Sequence, residues 1–144
     1  MQHVNGVWFY GLAGSGKTLA SKYVRELCVS GFVIDGDQVR QYVSQDLDYD
    51  LTSRQIQIQR ILGISQIAIK NGFFPIASSV YMDQTVSDLC KEIGIKLYRI
   101  ERDLDQAKAV RHIYTNTDNV VGKDLSLPQL ATSLIRNDGT TNYK

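Results

Sequence analysis

Cysteine, charge of one sign and long apolar runs are all scarce in this chain. Its two cysteines, Cys28 and Cys90, have no CxxC spacing. That argues against a disulfide framework or a cysteine-built metal site, and leaves both as reduced packing residues in expected helices. Sixteen basic side chains against fifteen acidic ones give a formal net charge of +1. Bulk charge therefore indicates neither a nucleic-acid polymer nor an anionic membrane as partner. No apolar run approaches the ~20 residues a transmembrane helix needs. No internal repeat or low-complexity tract is visible. The first residues are polar, and the short apolar run after them ends in a glycine-rich loop. No secretory leader is expected, and the cytoplasm is the expected location. With 43% hydrophobic and 22% charged residues, the 144 residues suit a single domain, 1–144, around one core.

What is present begins with Gly11-Leu-Ala-Gly-Ser-Gly16-Lys17-Thr18, a full match to the phosphate loop G-x-x-x-x-G-K-[ST]. Glycines at 11, 14 and 16 let backbone N–H groups turn toward phosphate oxygens. Gly11, Ala13, Gly14, Ser15, Gly16, Lys17, Thr18 and Leu19 are thus the expected nucleotide-phosphate contacts. Lys17 is expected to reach the transferred phosphate, and Thr18 to offer its hydroxyl to Mg²⁺. The apolar run Val7–Tyr10 before the loop reads as a buried strand, and Lys17–Cys28 after it as a helix. A chance glycine-rich turn would not carry both flanks.

Beyond this unit, short apolar strands alternate with helices. Strands are expected at Phe32–Ile34, Phe73–Ser79 and Ile95–Ile100, with a last short one at Leu134–Ile135. Between them a helix starts near Asp37, and a longer one is capped by Thr52 or Ser53 and runs through Ile69. That longer helix carries apolar residues at 58, 61, 62, 64, 67 and 68. A further helix spans Asp83–Ile93 and is closed by Gly94. Leu104–Ile113 reads as helical and Asn116–Leu127 as irregular. The alternation predicts an α/β fold, a three-layer P-loop NTPase architecture with a parallel five-stranded sheet. Ligands bind at the carboxyl ends of such strands. Asp35-Gly36-Asp37, Ser79 and Arg102 fall there.

A phosphate loop alone does not separate kinases from GTPases and motor ATPases. The chain has no Asn-Lys-x-Asp base-recognition segment, and a motor would need more chain, so a small kinase is the economical reading. Asp35 and Asp37 stand two apart at a strand end beside the loop. One would take a proton from an attacking hydroxyl, and the other would orient Mg²⁺-bound water or the acceptor. Asp35, nearest the strand end, is the favoured base and a metal-side ligand. The plainer alternative is that Asp37 caps the next helix. Arg54 falls in a first helical turn, where a cation opposes the helix dipole, so an anionic ligand motivates it better than structure does. Arg40 shares that reading; a solvated surface or an internal ion pair is the alternative. Gln57, three residues on, would reach the same ligand. Tyr49 would stack on a base. Ser79 would bond an acceptor group or satisfy a strand-end backbone group. Arg102, with Arg99, Lys108 and Arg111, would form a basic lid around 108–123 or simply a solvated face. His3 is read as inert, and His112 as surface or phosphate contact.

Together these motifs resemble the adenylyl-sulfate kinases over roughly residues 5–125. Gly11–Thr18 is similar to that family's G-L-S-G-x-G-K-T, and Asp35-Gly36-Asp37-Gln-Val-Arg40 to its D-G-D-x-x-R. Leu47-Asp48-Tyr49 corresponds to its leucine-glycine-phenylalanine. Ser53-Arg54-Gln-Ile-Gln57-Ile-Gln-Arg60 corresponds to its D-R-x-x-N-x-x-R, and Ser79-Val80-Tyr81 to its serine-proline-tyrosine. Arg111-His112-Ile113-Tyr114 and Gly122-Lys123-Asp124 are weaker counterparts of its late motifs. The resemblance implies ATP and Mg²⁺, phosphorylation of a ribose 3′-hydroxyl, and a homodimer. It places Asp37, Arg40, Tyr49, Arg54, Gln57, Ser79, Val80, Tyr81 and Lys123 around the acceptor, with Arg102 on the nucleotide side. The departures, Ser53, Gln57, Tyr49, Val80 and Met82, cluster on the acceptor side. Adenylyl sulfate and cytidine diphosphoramidate, the acceptor of a related kinase in bacterial capsule pathways, therefore stand as equal candidates. A nucleotide-dependent switch, a non-catalytic module and a kinase for a non-nucleotide metabolite are the competing readings.

Overall fold

The first strand dictates the layering. Gly6–Tyr10 (β1) is apolar throughout, and all five residues are buried. Such a strand needs cover on both faces. Trp8 and Tyr10 enter one core with Ile58, Ile61 and Leu62. Val7 and Phe9 point the other way, into a second core with Ala20 and Val24. The computed structural model describes residues 4–11, 17–100, 113–114 and 120–121.

After β1 come α1 (Lys17–Leu27), β2 (Gly31–Asp35), α2 (Gly36–Tyr42) and α3 (Leu51–Lys70). Then follow β3 (Phe74–Ser79), β4 (Met82–Asp83), α4 (Gln84–Ile93), β5 (Ile95–Ile100), β6 (Ile113–Tyr114) and β7 (Val120–Val121). The main sheet has five strands in the order β2, β3, β1, β5, β7, and every pairing is parallel. A second, two-stranded parallel ladder joins β4 to β6. Helix α1 supplies the second core, and α3 and α4 supply the first, so the sheet is sandwiched. This is the expected α/β architecture of a P-loop NTPase.

Register aligns the carboxyl ends. Tyr10 pairs with Ser79 and Arg99, and Asp35 with Ser78. The residues that follow β1, β2 and β3 therefore converge at one end of the sheet.

Several local expectations need correction. The fifth strand is β7, inside the segment read as irregular, and Ile113 lies in β6 rather than in a helix. Leu134–Ile135 lies outside the described residues. Helix α3 starts at Leu51 after an extended Asp50, so neither Thr52 nor Ser53 is its N-cap. Its buried face is Gln57, Ile58, Ile61, Leu62, Ser65 and Ala68, while Ile67 is 64% exposed. Ile67 lies beside the apolar stripe in sequence but off it in angle. A 3.6-residue period that runs 58, 61, 62, 65 and 68 selects the serine instead.

Candidate active site

A cleft of ≈ 810 Å³ opens at the carboxyl end of β1, β2 and β3. Helix α1 contributes Lys17, Thr18 and Leu19 to its wall. The turn into α2 contributes Asp35, Gly36, Asp37 and Arg40. Tyr49, Arg54 and Gln57 close a third side, and Ser79, Val80 and Tyr81 a fourth. Residues far apart in sequence thus meet in one cavity.

The start of the phosphate loop is held from two directions. Gly11 has φ 152°, a backbone region open mainly to glycine. Its N–H donates to Ser79 O at 3.2 Å, tying the loop to β3. The Lys17 ammonium donates to Gly11 O at 2.6 Å. Burial lowers the Lys17 pKa from its ordinary value, and the charges of Asp37 and then Asp35 oppose that shift. Both carboxylates therefore act on the lysine through space.

Asp35, not Asp37, caps α2. Asp35 Oδ1 accepts from Asp37 N at 3.2 Å and from Ser78 Oγ at 3.4 Å. Among the described residues, no hydrogen bond engages Asp35 Oδ2. Gly36 is required between the two aspartates, because a Cβ there would sit 2.7 Å from Ser78 O. Asp37 is exposed in the first turn. A hydroxyl at Thr18 and a half-buried carboxylate at Asp35 are hard oxygen donors that suit Mg²⁺. Among the described residues no cluster of three or more His, Cys, Asp or Glu could hold a metal alone.

The acceptor-side arginines grip their own loop. Arg40 Nη1 donates to Leu47 O at 3.4 Å and to Asp48 O at 2.5 Å. Arg54 Nε donates to Tyr49 O at 2.7 Å. Their guanidinium carbons lie 4.5 and 5.9 Å from the Tyr49 ring centroid, within cation–π range. The ring itself is 69% exposed. Gln57 is 5% exposed; its Nε2 donates to Gly36 O at 3.0 Å, and its Oε1 has no hydrogen-bond partner among the described residues.

Residues 4–118 match the family model described as adenylylsulphate kinase. The chain belongs to that family. Over 96 residues it is 32% identical to the adenylyl-sulfate kinase of Bacteroides thetaiotaomicron, covering 64% of this chain and 48% of that protein. Over 91 residues it is 34% identical to adenylyl-sulfate kinase 3 of Arabidopsis thaliana, covering 60% and 44%. The chain spans about half the length of the curated relatives it matches. Its fold is similar to the Mycobacterium tuberculosis APS kinase CysC solved with AMPPNP and APS. There the TM-score is 0.70 at 18% identity, covering 97% of this chain and all of that one.

In this member of the adenylylsulphate kinase family, two of the sequence-derived site residues are engaged internally. Ser79 Oγ accepts from Trp8 Nε1 at 2.9 Å and donates to Tyr81 O at 2.7 Å. That is the strand-end role weighed against a ligand contact. Arg60 lies off the cleft and forks onto Asp46 at 2.7 and 2.9 Å, lowering the Asp46 pKa to about 2. Ala13, Gly14, Ser15, Gly16, Arg102, Arg111, His112 and Lys123 lie outside the described residues, as does most of the 108–123 lid. Sequence reading missed Lys22, Gln41 and Ser78, which also line the cleft. Lys22 was legible: it stands four after Thr18, on the same helix face.

Proposed function

We propose that this chain is an ATP-dependent phosphotransferase acting on a ribose hydroxyl of an anionic nucleotide-type acceptor. The observation that carries this reading is one cleft lined by two sets of residues. Lys17, Thr18, Asp35 and Asp37 line it together with Arg40, Arg54 and Tyr49. Family membership supports the same chemistry.

The phosphate loop grips the β- and γ-phosphates of ATP, with Lys17 offsetting charge on the transferring group. Mg²⁺, near Thr18 and Asp35, would supply charge neutralisation at the phosphates. The acceptor oxygen forms a bond to the γ-phosphorus while the β–γ bridging bond breaks and ADP leaves. The hydroxyl proton passes to a carboxylate. Asp35 is our choice of base, because Asp37 N and Ser78 fix its orientation and Oδ2 remains available. Asp37 orients the acceptor from the other side of Gly36. Arg40 and Arg54 hold the acceptor's anionic bridge, and Tyr49 contacts its base. Adenylyl sulfate and cytidine diphosphoramidate remain the acceptors of choice. Of the positions that depart from the family pattern, Tyr49, Gln57 and Val80 line the cleft, and Ser53 bonds the loop that carries Tyr49.

ATP consumption measured with and without each acceptor tests the reading. Acceptor-dependent turnover supports it. Slow hydrolysis indifferent to every acceptor would favour a nucleotide switch.

A further inference from the structure

The acceptor wall of the cleft is made by a loop, and a residue outside the cleft fixes that loop. The backbone carbonyls of residues 47–49 take up the arginines' hydrogen bonds: Arg40 bonds to Leu47 O and Asp48 O, and Arg54 to Tyr49 O. Where the two guanidiniums stand is thus set by where those carbonyls stand. Residues 48–50 are exposed, so core packing does not hold them. Ser53 does: its Oγ accepts from Asp48 N at 3.2 Å. Ser53 lies in the first turn of α3, a twenty-residue helix anchored through buried Ile58, Ile61 and Leu62. Its hydroxyl also holds the Asp50 carboxyl below the ordinary carboxylate range.

We propose that Ser53 is a positioning residue that ties the 47–50 loop to α3 and so sets Arg40, Tyr49 and Arg54 for the acceptor's anionic group. The proposal rests on the function given above, in which those three residues meet the acceptor. Each arginine gives only part of its donor fork to the loop: Nη1 of Arg40 and Nε of Arg54. The remaining N–H groups are left with a fixed aim. A site aimed before binding loses less conformational freedom when its ligand arrives. Asp48 N stands at an exposed residue, so water replaces the lost bond when the serine hydroxyl is removed. Loop order is lost, and the fold is kept.

The test compares Ser53→Ala and Ser53→Thr with the wild-type chain. Hydrogen exchange at residues 47–50 reads the loop. Calorimetric titration of cytidine 5′-diphosphate and adenosine 5′-diphosphate reads the acceptor side, with the donor site filled by a non-hydrolysable ATP analogue and Mg²⁺. Ser53→Ala should exchange faster at 47–50 and bind the diphosphate about five- to tenfold more weakly, the worth of one hydrogen bond. Affinity for the ATP analogue should not change, and Ser53→Thr should restore both readouts. Unchanged exchange, or faster exchange with unchanged diphosphate affinity, overturns the proposal. A wild-type chain that binds neither diphosphate overturns the acceptor reading itself and leaves Ser53 with a structural role only, a result distinct from the other two.

Discussion

Lys17 is the residue on which burial and charge conflict most clearly. Burial disfavours its ammonium form, and the two neighbouring aspartates compensate only in part. A lysine whose folded pKa lies below its unfolded value costs stability at neutral pH. That cost is relieved as pH rises through the folded value toward the unfolded one. A bound polyphosphate removes the cost by supplying the missing counter-charge. Lys17→Met should therefore melt no lower than wild type without ligand, yet gain nothing from Mg²⁺-ATP. Wild type at a hundred times its Kd should gain about 2.7 kcal/mol. A calorimetric scan of both proteins with and without ATP checks this, and a ligand-induced rise in the variant would contradict it. Asp35→Asn and Asp37→Asn separate the two carboxylates. Asp35→Asn should lower kcat by about a hundredfold or more, the usual worth of a placed base. Asp37→Asn should act mainly on acceptor KM. Asp35 was legible in the sequence as a strand-end carboxylate. Its hold on Asp37 N was not, because a cap depends on where the strand stops, and β2 continues to Asp35 itself.

Among the elements, α3 joins stability to function. Its core face carries Ile58, Ile61 and Leu62, and its first turns carry Arg54 and Gln57 to the cleft and Ser53 to the loop before it. Ile61→Ala removes a fully buried side chain and should cost about 2–5 kcal/mol in denaturant unfolding. Arg60, on the same helix, holds the preceding loop through its fork onto Asp46. Asp46 has a folded pKa of about 2 against 3.8 ordinarily. A depressed carboxyl contributes its stability above the ordinary value and loses it as pH falls through about 2. Asp46→Asn should remove this pair's share of the fall in stability between those two pH values and lower the neutral-pH stability by the same amount, a small one because the pair is exposed. Periodicity revealed the helix and its apolar face. It did not reveal that Arg60 turns to the loop while Arg54 faces the cleft, because six residues of helix separate the two directions.

For the molecule as a whole, the sheet was readable where strands were long and apolar. β1, β2, β3 and β5 each lie within two residues of their expected places. The closing strand β7 has only two residues, Val120 and Val121, in a polar setting, too short for any period to register. Lys17, Thr18, both aspartates, Arg40 and Arg54 were legible as residues of one cleft because they belong to short local motifs. Gln41 and Ser78 were not singled out, since only the fold brings them to the same cleft. Neither cysteine forms a disulfide and both are buried, and burial raises the Cys90 thiol to about 12. The folded protein should resist iodoacetamide at pH 8, and both thiols should react after unfolding. Fast native alkylation would mean the first core opens readily.

The central claim is transfer of the γ-phosphate of ATP to a ribose hydroxyl of a nucleotide-type acceptor. Incubation with γ-labelled ATP, Mg²⁺ and, in turn, adenylyl sulfate, cytidine diphosphoramidate and simple nucleoside diphosphates tests it most directly. The label is then followed by phosphorus NMR and mass spectrometry. The expected result is label on a ribose hydroxyl of one acceptor, one ADP per phosphorylated product, and little ADP without acceptor. Label released only as inorganic phosphate, or no turnover with any nucleotide acceptor, would contradict it.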